Sequence, residues 1–199
     1  MVLNLNIILI FLFFVIVFLL SGCDSRYEEI GNQWFYVTYD ERGERIRKLQ
    51  VDKKTFQVIN NEYAKDNLHV FYKGRVIENA DSESFEVIKE GYSKDKNNVY
   101  LYWYPLINVN PNKFKILGGF FSKDDKNIYC GTVPLILEDI SSFKIERLDR
   151  HIVMMSSKEF IKHNLDYSFI NTEKYKTVVY CNSIGKSNTG RFEGVRKID

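Results

Sequence analysis

The side chains that could do chemistry are few. Three histidines, His69, His151 and His163, are the whole imidazole supply, and none stands at a metal-binding or catalytic spacing from its neighbours. A Ser, a His and an Asp can still meet in space, because such triads are set by geometry rather than sequence order, but nothing singles out a nucleophile and no catalytic residue is assigned. Asp95 and Asn97 alternate as calcium ligands do. No Glu follows at the twelfth loop position, no turn glycine is present, and Asp124-Asp125-Lys126 puts a cation where a ligand is needed. These read as turn residues, and no metal is expected. Gly185-Lys186-Ser187 mimics the end of a phosphate-binding loop, but Tyr180 stands where its first glycine belongs. Neither a nucleotide nor any cofactor is expected.

Two features remain. Tyr102, Trp103 and Tyr104 run together before Pro105, and amphipathic aromatics are the usual anchors of carbohydrate and protein contacts. They read either as part of a binding surface or as rings packed across strands and under neighbouring structure. The second feature is Cys23. It follows an unbroken apolar run of 14 residues, Ile7 to Leu20, and closes the string Leu20-Ser21-Gly22-Cys23. The run suits a signal-peptide core and falls short of a spanning helix. The string resembles the bacterial lipobox, whose cysteine is diacylated and becomes the new N-terminus; the leader departs from the pattern in having no Lys or Arg. The competing reading is an uncleaved anchor over Met1 to Leu20. Both place the remainder outside the cytoplasm, in the cell envelope. With Cys23 taken by lipid, Cys130 and Cys181 remain, as a disulfide or as two buried thiols.

The elements that must position these residues follow a repeat. Phe56, Phe85, Phe114 and Phe143 are 29 residues apart. The register is kept by Asp52, Asp81, Asn110 and Asp139, by Tyr63, Tyr92 and Phe121, by Asp66, Asp95 and Asp124, and by Phe71, Tyr100 and Tyr129. Such self-similarity marks a repeat architecture. Each unit reads as a β-hairpin with a short cap: an Asp or Asn turn, a short strand through the Phe, a Tyr or Phe before Lys-Asp, a polar turn and a second strand. One unit cannot bury its own apolar face, so neighbours must stack. The expected fold is mainly β, with tandem hairpin repeats in one array and a small α+β C-terminal cap. The boundaries are a signal peptide over 1–22, a membrane-proximal linker over 23–33, a divergent hairpin over 34–51, repeats over 52–148, a non-repeat cap over 149–182 and a flexible tail over 183–199. Ser156 and Glu159 have capping-box spacing and predict a short helix to about Asn164.

Lys94 to Tyr100 (Lys-Asp-Lys-Asn-Asn-Val-Tyr) and Asp125-Lys-Asn-Ile-Tyr129 resemble the signature of the DKNYY repeat family of bacterial envelope proteins, over roughly Asp52 to Glu146. The first unit departs from it, with Asn67, Leu68 and His69 in the turn. The resemblance implies a lipoprotein and brings no activity. A formal net charge of +2 with 27% charged and 45% hydrophobic residues excludes a disordered chain and a polyanion-wrapping one, so nucleic acid is not expected as a partner. The expected partners are a membrane, through the lipid, and an envelope protein or glycan. Three classes of function follow: a binding or interaction module, which is preferred; an envelope hydrolase with its site in the C-terminal part; and a purely structural lipoprotein.

Overall fold

A computed structural model describes residues 25–198; Cys23 and the leader lie outside them. The chain is mainly β, an array of small antiparallel sheets. The first unit runs β4 (Gln57–Val58), β5 (Tyr63–Lys65), β6 (Val70–Tyr72) and β7 (Arg75–Val76), each strand paired with the next. The second repeats this as β8 (Glu86–Val87), β9 (Tyr92–Lys94), β10 (Val99–Leu101) and β11 (Tyr104–Pro105), and the third as β12 (Lys115–Gly118), β13 (Phe121–Lys123), β14 (Ile128–Cys130) and β15 (Val133–Pro134). The expected hairpin is the central pair of each sheet. The flanking strands are mostly two residues long, too short to leave a periodicity in sequence.

The fourth unit is split. Its first strand, β16 (Lys144–Arg147), pairs with β19 (Ile184–Ser187), which continues through β20 (Gly190–Glu193) and β21 (Arg196–Lys197). Residues 148–183 are therefore an insert inside the last unit rather than a cap beyond it. The segment expected to fray is a sheet that buries Ile184, Phe192 and Val195. Gly185 lies under the Phe143 ring, 2.3 Å from where a Cβ would sit, so Gly185-Lys186-Ser187 is strand rather than phosphate loop. At the other end the expected linker is also strand. β1 (Ser25–Ile30) pairs with β2 (Gln33–Asp40) through a turn whose central residues, Gly31 and Asn32, both have positive φ, and β3 (Gly43–Lys48) completes a three-stranded sheet.

Aromatic rings make the joints between units. Phe85 packs on Tyr63 of the unit before (5.7 Å between centroids), Phe114 on Tyr92 (5.3 Å) and Phe143 on Phe121 (5.0 Å). Phe56 packs in the same way on Trp34 (4.7 Å), which brings the N-terminal sheet into the column. Hydroxyls fasten the same joints: Tyr63 donates to Gly91 O (3.4 Å) and Tyr92 to Phe120 O (3.1 Å). Phe121 has no hydroxyl; Ser183 of the insert fastens this joint instead, donating to Gly119 O at 2.7 Å and accepting the Asp149 N–H at 2.8 Å. Burying a full ring of this size contributes about 1.5–3 kcal/mol; Phe85 is buried and the other three phenylalanines partly so.

The repeat signature has a hydrogen-bonding cause. One oxygen of Asp95 accepts the N–H groups of Asn97 and Asn98, both at 2.7 Å; the other accepts the Asp81 N–H at 2.8 Å and the Tyr100 hydroxyl at 2.8 Å. Asp124 does the same with Lys126, Asn127, Asn110 and Tyr129. In the first unit Asp66 binds the N–H groups of Leu68, His69 and Asp52, but Phe71 replaces the tyrosine. Each carboxylate is buried and is stable there because its lone pairs are filled. Burial alone would raise the Asp66 carboxyl; the three N–H donors outweigh it and hold the group below its usual range.

The insert contains β17 (Ile152–Ser156), helix α1 (Ser157–His163), a 3-10 turn over Leu165–Tyr167 and β18 (Thr177–Cys181), which pairs with β17. Helix α1 starts as its sequence predicts, with the Glu159 N–H donating to Ser156 Oγ at 3.2 Å. The insert docks on the β14–β15 turn. Thr132 N–H donates to Val179 O at 2.7 Å, and Val179 N–H returns to Thr132 Oγ1 at 3.0 Å. Gly131 has φ +67°, and a Cβ there would lie 2.2 Å from Val179 O, so only glycine allows the approach. Beside it Cys130 and Cys181 are joined as a disulfide, with Cα atoms 5.3 Å apart.

Candidate functional site

The turn between β10 and β11 holds Tyr102 and Trp103 as its two central residues, where the first unit has Lys73-Gly74 and the third Gly131-Thr132. The backbone demands of the turn are unchanged: Lys73, Tyr102 and Gly131 all have positive φ, +48°, +59° and +67°. Their N–H groups donate to equivalent carbonyls, those of Glu62, Gly91 and Phe120. A tyrosine in the left-handed region is uncommon and costs about 1 kcal/mol or more. Its ring repays part of this by covering Gly91, where a Cβ would lie 2.6 Å from it, and by packing on Tyr72 at 5.8 Å. Burial raises the Tyr102 phenol above its ordinary range. Tyr102 is thus largely a packing residue.

Trp103 and Tyr104 lie differently. Their rings sit 4.6 Å apart at 36°, Trp103 also rests on Tyr72 at 5.3 Å, and both line a cleft of about 330 Å³. One wall comes from the end of the first unit (Arg75, Val76, Glu78, Asn79), the floor from Trp103, Tyr104 and Pro105, and the other wall from the insert, residues 174–177. Three separate parts of the sequence therefore build it, and only the aromatic floor was visible beforehand. The volume falls at the lower end of the roughly 300–1,000 Å³ range of small-ligand sites. The charge is predominantly positive. Lys176 pairs with Glu78 at 3.3 Å, the Arg75 guanidinium lies 5.9 Å from the Trp103 ring centre, and Lys174 stands 5.0 Å over Tyr175.

The other sequence-predicted groups do not meet in this cleft. His69 stands 3.5 Å from Asp66, His151 is 2.7 Å from Asp149 and His163 is 2.8 Å from Glu159, each with a carboxylate of its own segment. Ser183 is near Asp149 and His151 in the fold, but it is buried and its hydroxyl is engaged with the carbonyls of Gly119 (2.7 Å) and Asp149 (3.1 Å). That arrangement ties the insert to the third unit and leaves no activated nucleophile. Among the described residues no cluster of His, Cys, Asp and Glu has metal-holding geometry. No described helix is long and apolar enough to cross a membrane.

Tandem four-stranded sheets joined through an aromatic column, the first three each pinned by a buried aspartate, define an open β-repeat protein. The DKNYY family model matches residues 13–104, so this part of the chain is similar to the DKNYY family. The match spans the N-terminal sheet and the first two units, and the hubs around Asp95 and Asp124 show that the same construction continues through the third. No curated protein and no solved structure matches the chain.

Proposed function

We propose that the chain is a lipid-anchored envelope protein, attached through Cys23, that works as a binding module with the cleft at Trp103 and Tyr104 as its binding surface. The observation that carries this reading is that the second unit's hairpin turn, beside the insert, carries two large rings that form the floor of the cleft. In the first unit the same turn is Lys-Gly and in the third it is Gly-Thr, so the fold itself does not require two large rings there. Trp103 and Tyr104 remain half-exposed beside exposed cations, which is the make-up of a recognition site rather than of a core.

The anchor bears on which partners are in reach. β1 begins at Ser25, two residues after Cys23, so a lipidated Cys23 holds the first sheet against the bilayer without the roughly 35 Å reach of an extended linker of about ten residues. Partners are then molecules at the surface of the membrane that carries the chain. The test is a titration of fractionated envelope material against purified mature protein, followed by isothermal titration calorimetry. Saturable binding that Trp103→Ala abolishes supports the reading, with Trp103→Phe as the variant that keeps the packing on Tyr72. Binding that both variants leave intact removes the cleft from the account.

A further inference from the structure

Resting on that reading of the cleft, we propose that its ligand is an acidic saccharide, a sugar whose ring carries a carboxylate, bound with the ring face on Trp103 and Tyr104 and the carboxylate toward Arg75 and Lys174. Three features lead to this class. The first is charge: three cations, Arg75, Lys174 and Lys176, face one carboxylate, Glu78, and Glu78 is already taken by Lys176. Arg75 and Lys174 stand over aromatic rings, and among the described residues neither forms an ion pair. A cleft lined by one sign of charge concentrates the opposite one, and an arginine fork is the side chain suited to a planar carboxylate.

The second feature is the floor. Trp103 and Tyr104, packed on one another at 4.6 Å and 36°, give an apolar floor with Val76 and Pro105 beside it, while Asn79 and Thr177 add short polar groups at the rim. This combination matches a pyranose, which has an apolar C–H face and a polar edge. The third feature counts against an acidic peptide. A peptide strand adds to a sheet through an edge with free N–H and C=O groups. The strands that line the cleft offer little of this: the edge strands β7 (Arg75–Val76) and β11 (Tyr104–Pro105) are two residues long, Pro105 has no N–H to offer, and β18 already bonds Thr132 through Val179. At about 330 Å³ the cleft takes a short stretch of a polymer rather than a long chain.

The experiment uses tetrasaccharides of galacturonate and of mannuronate, their methyl esters, and tetraglutamate, titrated into the mature chain while tryptophan fluorescence is read. We expect at least one uronate to bind saturably, the corresponding ester to bind about tenfold more weakly, and added salt to weaken the uronate alone. Lys174→Gln and Arg75→Gln, both changes of exposed side chains that leave the core untouched, should each weaken the uronate about tenfold without altering the ester. Equal binding of uronate and ester overturns the charge assignment. Tetraglutamate binding as tightly as the uronates makes the site a peptide or general anion site, and no binding of any uronate overturns the proposal outright. In that last case, Trp103-dependent binding of envelope fractions would show that the cleft still recognises something else.

Discussion

Removing one oxygen atom from the second unit should reveal how the repeat signature holds the fold. In Tyr100→Phe the ring stays, 0% exposed in the wild type, while the hydroxyl that donates to Asp95 at 2.8 Å is lost. Hydrogen bonds to charged groups are worth about 1.5–3 kcal/mol. Asp95 keeps three N–H donors, so the loss belongs at the low end, about 1.5 kcal/mol, or about 3–6 °C in Tm for a chain of this size. Asp95→Ala loses the acceptor for three N–H groups and the phenol together and should cost about 4 kcal/mol. In that background the Tyr100 hydroxyl is a buried donor without its partner. Tyr100→Phe then becomes neutral or stabilising, giving a coupling of about 1.5 kcal/mol or more between the two sites. Urea unfolding of the four proteins, followed by circular dichroism, measures the cycle. The first unit provides a control, because Phe71 stands where the others have tyrosine and one Asp66 oxygen receives only the Asp52 N–H; Phe71→Tyr should stabilise by up to about 1 kcal/mol. Equal costs for Tyr100→Phe with and without Asp95 would refute the hub as the reason for the signature.

Gly131→Ala combines a left-handed residue with a Cβ 2.2 Å from Val179 O; it should cost about 3 kcal/mol or more and expose the insert to limited proteolysis before the repeats. Reducing the Cys130–Cys181 bridge, which closes a separation of 51 residues, should lower stability by about 4 kcal/mol in the chain-entropy estimate, read as a drop in the urea midpoint. The pH profile should fall at both ends. Burial raises the phenols of Tyr27, Tyr63 and Tyr92 in the fold, so the unfolded chain releases its protons first; this stability is complete below about pH 10 and is lost as pH rises beyond it. At the acid end, Lys96 and Ser84 hold Asp81 down to about 2, and the N–H donors hold Asp66 below its usual range. Their contributions are present above the ordinary carboxylate range and are lost as pH falls from about 4 toward 2, which thermal melts across that window would record.

The repeat was legible because one residue type recurs at each structural joint. The phenylalanines 29 residues apart are the rings that cross from unit to unit, and the Lys-Asp dipeptide marks the buried hub. Trp34 stands 29 residues before Tyr63 and occupies the same place on Phe56, but the change from Tyr to Trp hid the match. The fourth unit was illegible for a different reason. The 36 residues of 148–183 separate β16 from its partner β19, and a fixed period cannot cross an insertion. The short strands that complete it depend on pairing for their identity; Gly185, Gly190 and Gly194 read as loop until Phe143 and Cys181 are seen beside Gly185 and Gly194. The candidate site shows the same limit. Trp103 and Tyr104 stood out by composition, whereas Arg75 and Lys174 carried no signal, because what brings them together is the docking of the insert.

The central claim is that the chain meets its partner in the cleft at Trp103 and Tyr104. Photo-crosslinking in the native cell, with a photoreactive amino acid placed at Asn79 inside the cleft or at Lys126 in the exposed turn of the third unit, tests it most directly. A defined adduct is expected from position 79 that Trp103→Ala removes, and none of that kind from position 126. The same products from both positions, or an adduct at 79 that persists without Trp103, would contradict it.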